Sequence, residues 1–162
     1  MFQGCSELEY LDLSNFNTSN VIDMTCIFNG CKKLLVINGI DNFNTIKVIT
    51  MEGIFQECNN LKYLDFSNFN TSNTFNMVGM FNQYHKLKEI KGINIFITAK
   101  TLDIHSMFSG CNDLEKLDLT NFDTTNINSM KLMFNDYYKL KEIIGINHFN
   151  TINVKEMRGM FQ

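Results

Sequence analysis

The phrase "YLDLSNFNTSN" at residues 10–20 returns as "YLDFSNFNTSN" at 63–73 and as "KLDLTNFDTTN" at 116–126, each copy 53 residues beyond the last. Aromatic residues halve that interval. Phe2, Phe28, Phe55, Phe81, Phe108, Phe134 and Phe161 are spaced alternately by 26 and 27 residues, so the phrase marks every second turn of a shorter repeat. One such turn buries about eight apolar side chains, worth on the order of 20 kcal/mol, against an ordering cost of roughly 40 kcal/mol. A single turn therefore cannot fold alone, and neighbouring turns must stack and share their apolar residues.

Aligning the turns places nearly every unusual residue in a column. Of 15 Phe, one column holds the seven above and a second holds Phe16, Phe43, Phe69, Phe96, Phe122 and Phe149, leaving only Phe66 and Phe75 outside. All 10 Met fall in two columns, Met24, Met51, Met77, Met130, Met157 and Met1, Met80, Met107, Met133, Met160. Thr18, Thr45, Thr71, Thr98, Thr124 and Thr151 form another column, and Leu8, Leu34, Leu61, Leu87, Leu114 and Leu140 one more.

Within a turn the apolar period changes. Val21, Met24, Ile27, Phe28 and Cys31 recur at helical spacing, with Thr18 or Ser19 placed as an N-cap and Gly30 as a left-handed terminator, which predicts a short helix. Leu11 and Leu13 alternate with Tyr10, Asp12 and Ser14, which predicts a short strand. The expected fold class is therefore α/β: a solenoid of about six turns of 26/27 residues, each a short parallel strand plus a short helix, with the strands joined in one parallel sheet. The longer turns carry their extra residue beside Gly39, Gly92 and Gly145, where we expect a bulge that kinks alternate strands.

The motif "L-x-x-L-x-L" followed by an aromatic, then "T-S-N-V-x-x-M", an M-F or equivalent pair and "C-x-x-L", resembles the BspA-like leucine-rich repeats of bacterial surface lipoproteins and of some protozoan surface proteins. The resemblance spans the chain, as in Thr124-Thr125-Asn126-Ile127, Met130, Met133-Phe134 and Leu140. Tyr84 and Tyr137 stand in place of the Cys, Ile104 in place of a Met, and "INIFITAKT" at 93–101 departs from the Asn-Thr phrase. The resemblance implies a leucine-rich-repeat arc, surface display and adhesion or partner binding.

We expect residues 1–162 to be a single unit. Met1-Phe2 already lies in the repeat register and no polar cap flanks the array, which predicts a segment of a longer solenoid with its signal and anchor elsewhere. The alternative is a complete small protein with frayed ends.

Composition narrows the chemistry. A net charge of −3, with Lys and Arg scattered, offers no basic stripe for nucleic acid, and no apolar run is long enough for membrane contact by this segment. Cys5, Cys31, Cys58 and Cys111 share one column and Cys26 stands apart, a pattern of reduced packing thiols rather than a metal site. His85, His105 and His148 occupy three different repeat positions and do not converge. No nucleophile–base pair or phosphate loop is present, so no enzyme, cofactor or metal site is expected. Asn17, Asn44, Asn70 and Asn150, with Asp123 as their acidic variant, precede the Thr column and are expected to cap turns; Asn17 and Asn70 also fit a glycosylation sequon.

The outward strand positions remain. Tyr10, Asp12 and Ser14, with Lys62, Tyr63 and Asp65 and with Lys116 and Asp118, form a polar face with tyrosine anchors suited to a protein partner. Asp12, Asp65 and Asp118 recur only in alternate turns, which separates like charges by about 10 Å. The expected function is a non-enzymatic module displayed at the cell surface that binds a protein, such as a host or matrix protein, or mediates adhesion. The alternative is a structural spacer or stalk that presents another domain.

Overall fold

A computed structural model describes residues 1–162. Six three-residue strands recur along the chain: β1 (Tyr10–Asp12), β2 (Val36–Asn38), β3 (Tyr63–Asp65), β4 (Glu89–Lys91), β5 (Lys116–Asp118) and β6 (Glu142–Ile144). They pair in parallel as β1 with β2, β3 with β4 and β5 with β6, in registers such as Tyr63↔Glu89, Leu64↔Ile90 and Asp65↔Lys91. The expected single sheet is thus three separate two-stranded sheets.

The expected helices are absent, which corrects the α/β leucine-rich-repeat solenoid. No α-helix occurs; the only helical segments are three-residue 3-10 turns at Ile40–Asn42, Ile93–Ile95 and Ile146–His148. The segment 21–31 is instead a run of tight turns. Its amides at Met24, Cys26, Phe28 and Gly30 donate to the carbonyls of Thr50, Glu52, Ile54 and Gln56 in the next turn of the chain, at 2.8–3.0 Å. Bonds of type i to i+3, such as Asn29 N to Cys26 O and Cys31 N to Phe28 O, close the turns locally. Isolated parallel bridges run through the same layers, linking Asp23, Thr50, Asn76, Asp103, Ser129 and Glu156 in succession.

The physical reason is that a helix satisfies its backbone within itself, whereas a repeat in register offers each amide a carbonyl in the adjacent turn. Consecutive tight turns send every third or fourth side chain inward, which is the spacing that mimics a helix. Within this segment of each turn the backbone also enters the left-handed region twice, at Cys26 and Gly30, Gly53 and Glu57, Gly79 and Gln83, Ser106 and Gly110, and Leu132 and Asp136. A right-handed helix admits no such residue in its interior.

Stacking of turns follows the columns. Rings of Phe2, Phe28, Phe55, Phe81, Phe108, Phe134 and Phe161 lie one upon the next with centroids 5.1–6.3 Å apart and planes within 21° of parallel. Phe66, outside both columns, is fully buried and meets Phe55, Phe69, Phe81 and Phe96 edge-on. One continuous core of 37 buried residues runs from Leu13 to Met160.

The Thr column welds the layers. Thr45 is buried; its hydroxyl donates to Asn70 O at 3.0 Å and accepts from Asn70 N at 2.8 Å, and Thr18, Thr71 and Thr124 repeat the arrangement with Asn44, Ile97 and Asn150. Thr18 is therefore an interlayer tie and not a helix cap.

The extra residue of the long turns is absorbed after the strand rather than as a bulge within it. Gly39, Gly92 and Gly145 take φ of 78°, 81° and 86° and lead into the 3-10 turns. A Cβ on Gly92 would stand 2.6 Å from Ser67 N and 2.7 Å from Phe66 C, so glycine is required there for space as well as for φ.

Candidate functional site

The outward strand positions lie on the strands, where pairing within each sheet brings two successive turns together. Tyr10 and Tyr63 are 55% and 61% exposed. Asp12, Ser14, Lys62 and Lys116 are exposed as well, while Asp65 and Asp118 are half-buried.

Each aspartate of this face closes a turn at the end of its strand. Asp12 Oδ1 accepts from Ser14 N at 2.9 Å and from Ser14 Oγ at 2.6 Å; Asp65 Oδ1 accepts from Ser67 N at 2.9 Å; Asp118 Oδ1 accepts from Thr120 N at 3.0 Å and from Thr120 Oγ1 at 2.5 Å. The Asp-x-Ser/Thr spacing was visible in all three phrases and signals this role. Hydrogen bonds from Ser14 and Thr120 hold the Asp12 and Asp118 carboxyls below the usual carboxylate range. Asp65 is lowered further, to about 2, by the Lys91 ammonium first and then by Ser67.

The alternate turns supply partners that the candidate set omitted. Lys91 Nζ lies 2.6 Å from Asp65 Oδ2, and Lys116 Nζ lies 3.0 Å from Glu142 Oε2. Asn38 Nδ2 donates to the Tyr10 hydroxyl at 2.8 Å. Asn38 and Lys91 stand at the alternate places of the Asp column, so column alignment could have found them; Glu142 enters only through the strand register.

Gaps between the sheets shape this face. No backbone hydrogen bond joins β2 to β3 or β4 to β5. Between β2 and β3 opens a groove of about 390 Å³ lined by Ile40, Asp41, Tyr63, Asp65, Glu89 and Lys91; between β4 and β5 a second, of about 480 Å³, is lined by Lys88, Gly92, Asn94, Lys116 and Asp118. The structure therefore brings Tyr63 and Asp65 to one groove and Lys116 and Asp118 to the other, while Tyr10 and Asp12 sit on β1, with Ser14 just after it, beyond β2.

The same repeat signature is matched by the model of a known family, described as "Mycoplasma protein of unknown function, DUF285", over residues 1–95 and again over 84–162. The chain belongs to that family. It is a repeat protein, and the two overlapping matches to the DUF285 model cover all its turns. No curated protein and no solved structure matches it.

The remaining polar candidates of this DUF285 chain lie elsewhere. Asn17, Asn44, Asn70, Asp123 and Asn150 accept through Oδ1 from the amide two residues on, at 3.0–3.2 Å, so they cap the turns. The thiols are unpaired with one another. Cys31, Cys58 and Cys111 are buried and donate to Phe2 O, Phe28 O and Phe81 O at 3.1–3.3 Å. Burial pushes the Cys31 thiol up to about 11 and Cys111 up to about 12, which leaves them un-ionised and inert. Tyr84 takes the place of a Cys in this column, with its hydroxyl buried and unpartnered.

Proposed function

We propose that this chain is a non-catalytic repeat module, displayed at the cell surface, that binds a protein partner through the strand face, in the manner implied by its resemblance to BspA-like surface repeats. The observation that carries the reading is the pair of tyrosines, Tyr10 and Tyr63, held more than half exposed on short strands, with Tyr63 lining an open groove. Large amphipathic rings on a rigid support bury area with little loss of side-chain freedom, which is why tyrosine anchors interfaces. The Asp65–Lys91 pair lining the groove presents both a donor and an acceptor to an extended chain. The partner class is a host or matrix protein.

A panel of immobilised matrix proteins tests this. Replacing Tyr10, Tyr63 and Asp65 together by Ala is expected to abolish binding while the thermal transition of the module is retained. Undiminished binding by the folded triple variant removes the strand face from the mechanism. The second reading, a spacer that presents another domain, is supported by the unbroken core from Leu13 to Met160, which gives the stack stiffness along its length. It is favoured if no surface variant alters adhesion while shortening the array does.

A further inference from the structure

Away from the strand face, one outward column is apolar where a solvated surface calls for polar residues. Ile22, Ile49, Phe75 and Leu102 occupy equivalent places in four successive turns and are 57%, 46%, 44% and 44% exposed. Their backbones are locked in one ladder, with Ile49 N donating to Ile22 O, Phe75 N to Ile49 O and Leu102 N to Phe75 O, each at 2.9 Å. The four side chains therefore form a straight ridge with roughly 4.8 Å between neighbours. In the next two turns the position is Asn128 and Lys155, and the ridge ends. Phe75 is the one phenylalanine outside the aromatic columns that does not enter the core. A continuous exposed apolar row of this length marks an interaction site.

The charges beside the ridge identify the occupant. Lys47 and Lys100 precede it in the second and fourth turns, each held by an asparagine of the turn before, Asn20 Oδ1 at 2.8 Å and Asn73 Oδ1 at 2.6 Å. Glu52 and Asp103 follow it in the same two turns. None of these four belongs to any of the molecule's six ion pairs. In the first and third turns the flanking lysine position is Asn20 and Asn73. Cations thus lie on one side of the ridge, in the second and fourth turns, and on the other side Asp23, Glu52 and Asp103 lie in the first, second and fourth.

We infer that the ridge is the interface of a parallel homodimer, in which two copies pack Ile22, Ile49, Phe75 and Leu102 against each other about a two-fold axis running along the stack. That rotation carries each layer onto the same layer of the partner and exchanges the two sides of the ridge. Lys47 of one copy then faces Glu52 of the other, and Lys100 faces Asp103, with each pairing made twice. A two-fold axis across the ridge gives the antiparallel arrangement, which sets Lys47 against Asn73, Lys100 against Asn20 and Asp103 against Asp23. Only the parallel arrangement satisfies the charges. The strand faces remain free on both copies, so the dimer is bivalent for whatever the strand face binds.

The test is sedimentation equilibrium of the 162-residue chain. A monomer–dimer equilibrium in the micromolar range is expected for an interface of this modest size. Phe75→Lys, at an exposed position that leaves the core intact, is expected to weaken it at least tenfold, as is Lys47→Glu. The combination Lys47→Glu with Glu52→Lys is expected to restore it, because the swapped pair meets again across the axis. Orientation is read by cross-linking in a Cys5→Ser, Cys26→Ser background, where Ile49→Cys is expected to oxidise to a homodimer. A chain that stays monomeric to millimolar concentration overturns the proposal. So does failure of the double swap to restore association, or cross-linking of Ile49→Cys only to Phe75→Cys, which is the antiparallel signature.

Discussion

Gly92 and Gly79 both have positive φ, at 81° and 58°, yet they are not equivalent. At Gly92 an added Cβ would press on the backbone of Phe66 and Ser67 in the turn before, whereas at Gly79 its nearest neighbour is Asn82 Cβ at 3.6 Å. Left-handed backbone alone costs a non-glycine residue about 1–2 kcal/mol. Gly79→Ala is expected to lose about that much in chemical denaturation, and Gly92→Ala about twice as much or more, because backbone cannot step aside as a side-chain tip can. Equal losses at the two sites show that the close approach at Gly92 is not tight. A second residue-scale expectation concerns Asp65, whose carboxyl is lowered to about 2 from an ordinary 3.8. Since its folded pKa is depressed, its contribution to stability is present above about 4 and fades as pH falls towards 2. In Lys91→Met the Asp65 titration, followed by carboxyl NMR, is expected to move upward, and the stability gap between the variant and the parent to close below about pH 2. An unmoved titration assigns the shift to Ser67 alone.

At the scale of elements, the strands and the helices were not equally legible. Alternation of Leu11 and Leu13 with Tyr10 and Asp12 marked β1 correctly, and the same pattern located β3 and β5. Helical spacing in 21–31 misled because periodicity records which side chains point inward and not where the amides donate. The contrary signals were Gly53, Gly79 and Gly159, glycines at the place where Cys26, Ser106 and Leu132 also adopt positive φ. Glycine in the middle of an amphipathic run is a poor helix residue, and its recurrence at one position of a repeat points to a left-handed turn. Of the candidate site, the aspartates and tyrosines were legible, but Glu142 was not, since its partner depends on register between turns. Ser106 decides between the two readings of this segment. It is buried, has φ of 53° and makes no side-chain hydrogen bond. In a helix Ser106→Gly would cost roughly 0.5 kcal/mol or more, whereas at a left-handed position it is expected to be neutral or stabilising by about 1 kcal/mol. A clear loss in the urea midpoint contradicts the stacked-turn geometry.

At the scale of the whole molecule, the unit of construction is the double turn. Short and long turns pair as β1 with β2, β3 with β4 and β5 with β6, and each long turn seats its left-handed glycine against the short turn before it. Gly39 packs on Ser14, Gly92 on Ser67 and Gly145 on Leu119 and Thr120. In a stack held by nearest-neighbour contacts, removing a whole unit should delete its own stability and leave the other interfaces intact. Excising residues 51–103, which are 53 residues, joins Thr50 to Ile104, and Ile104 occupies the Met51 column, so β2 is followed by β5 as it is normally followed by β3. Excising residues 51–76, which are 26, joins Thr50 to Met77 and sets β4 upon β2, so that Gly92 faces a second long turn instead of Phe66 and Ser67. The shorter deletion retains more chain and more apolar residues, and buried area alone ranks it the more stable. Register ranks it the less stable, because it destroys one sheet and unseats one glycine. The expected outcome is that the 53-residue deletion unfolds in a single transition at a higher urea midpoint than the 26-residue deletion. The reverse order means that a single turn, and not the pair, is the unit that stacks.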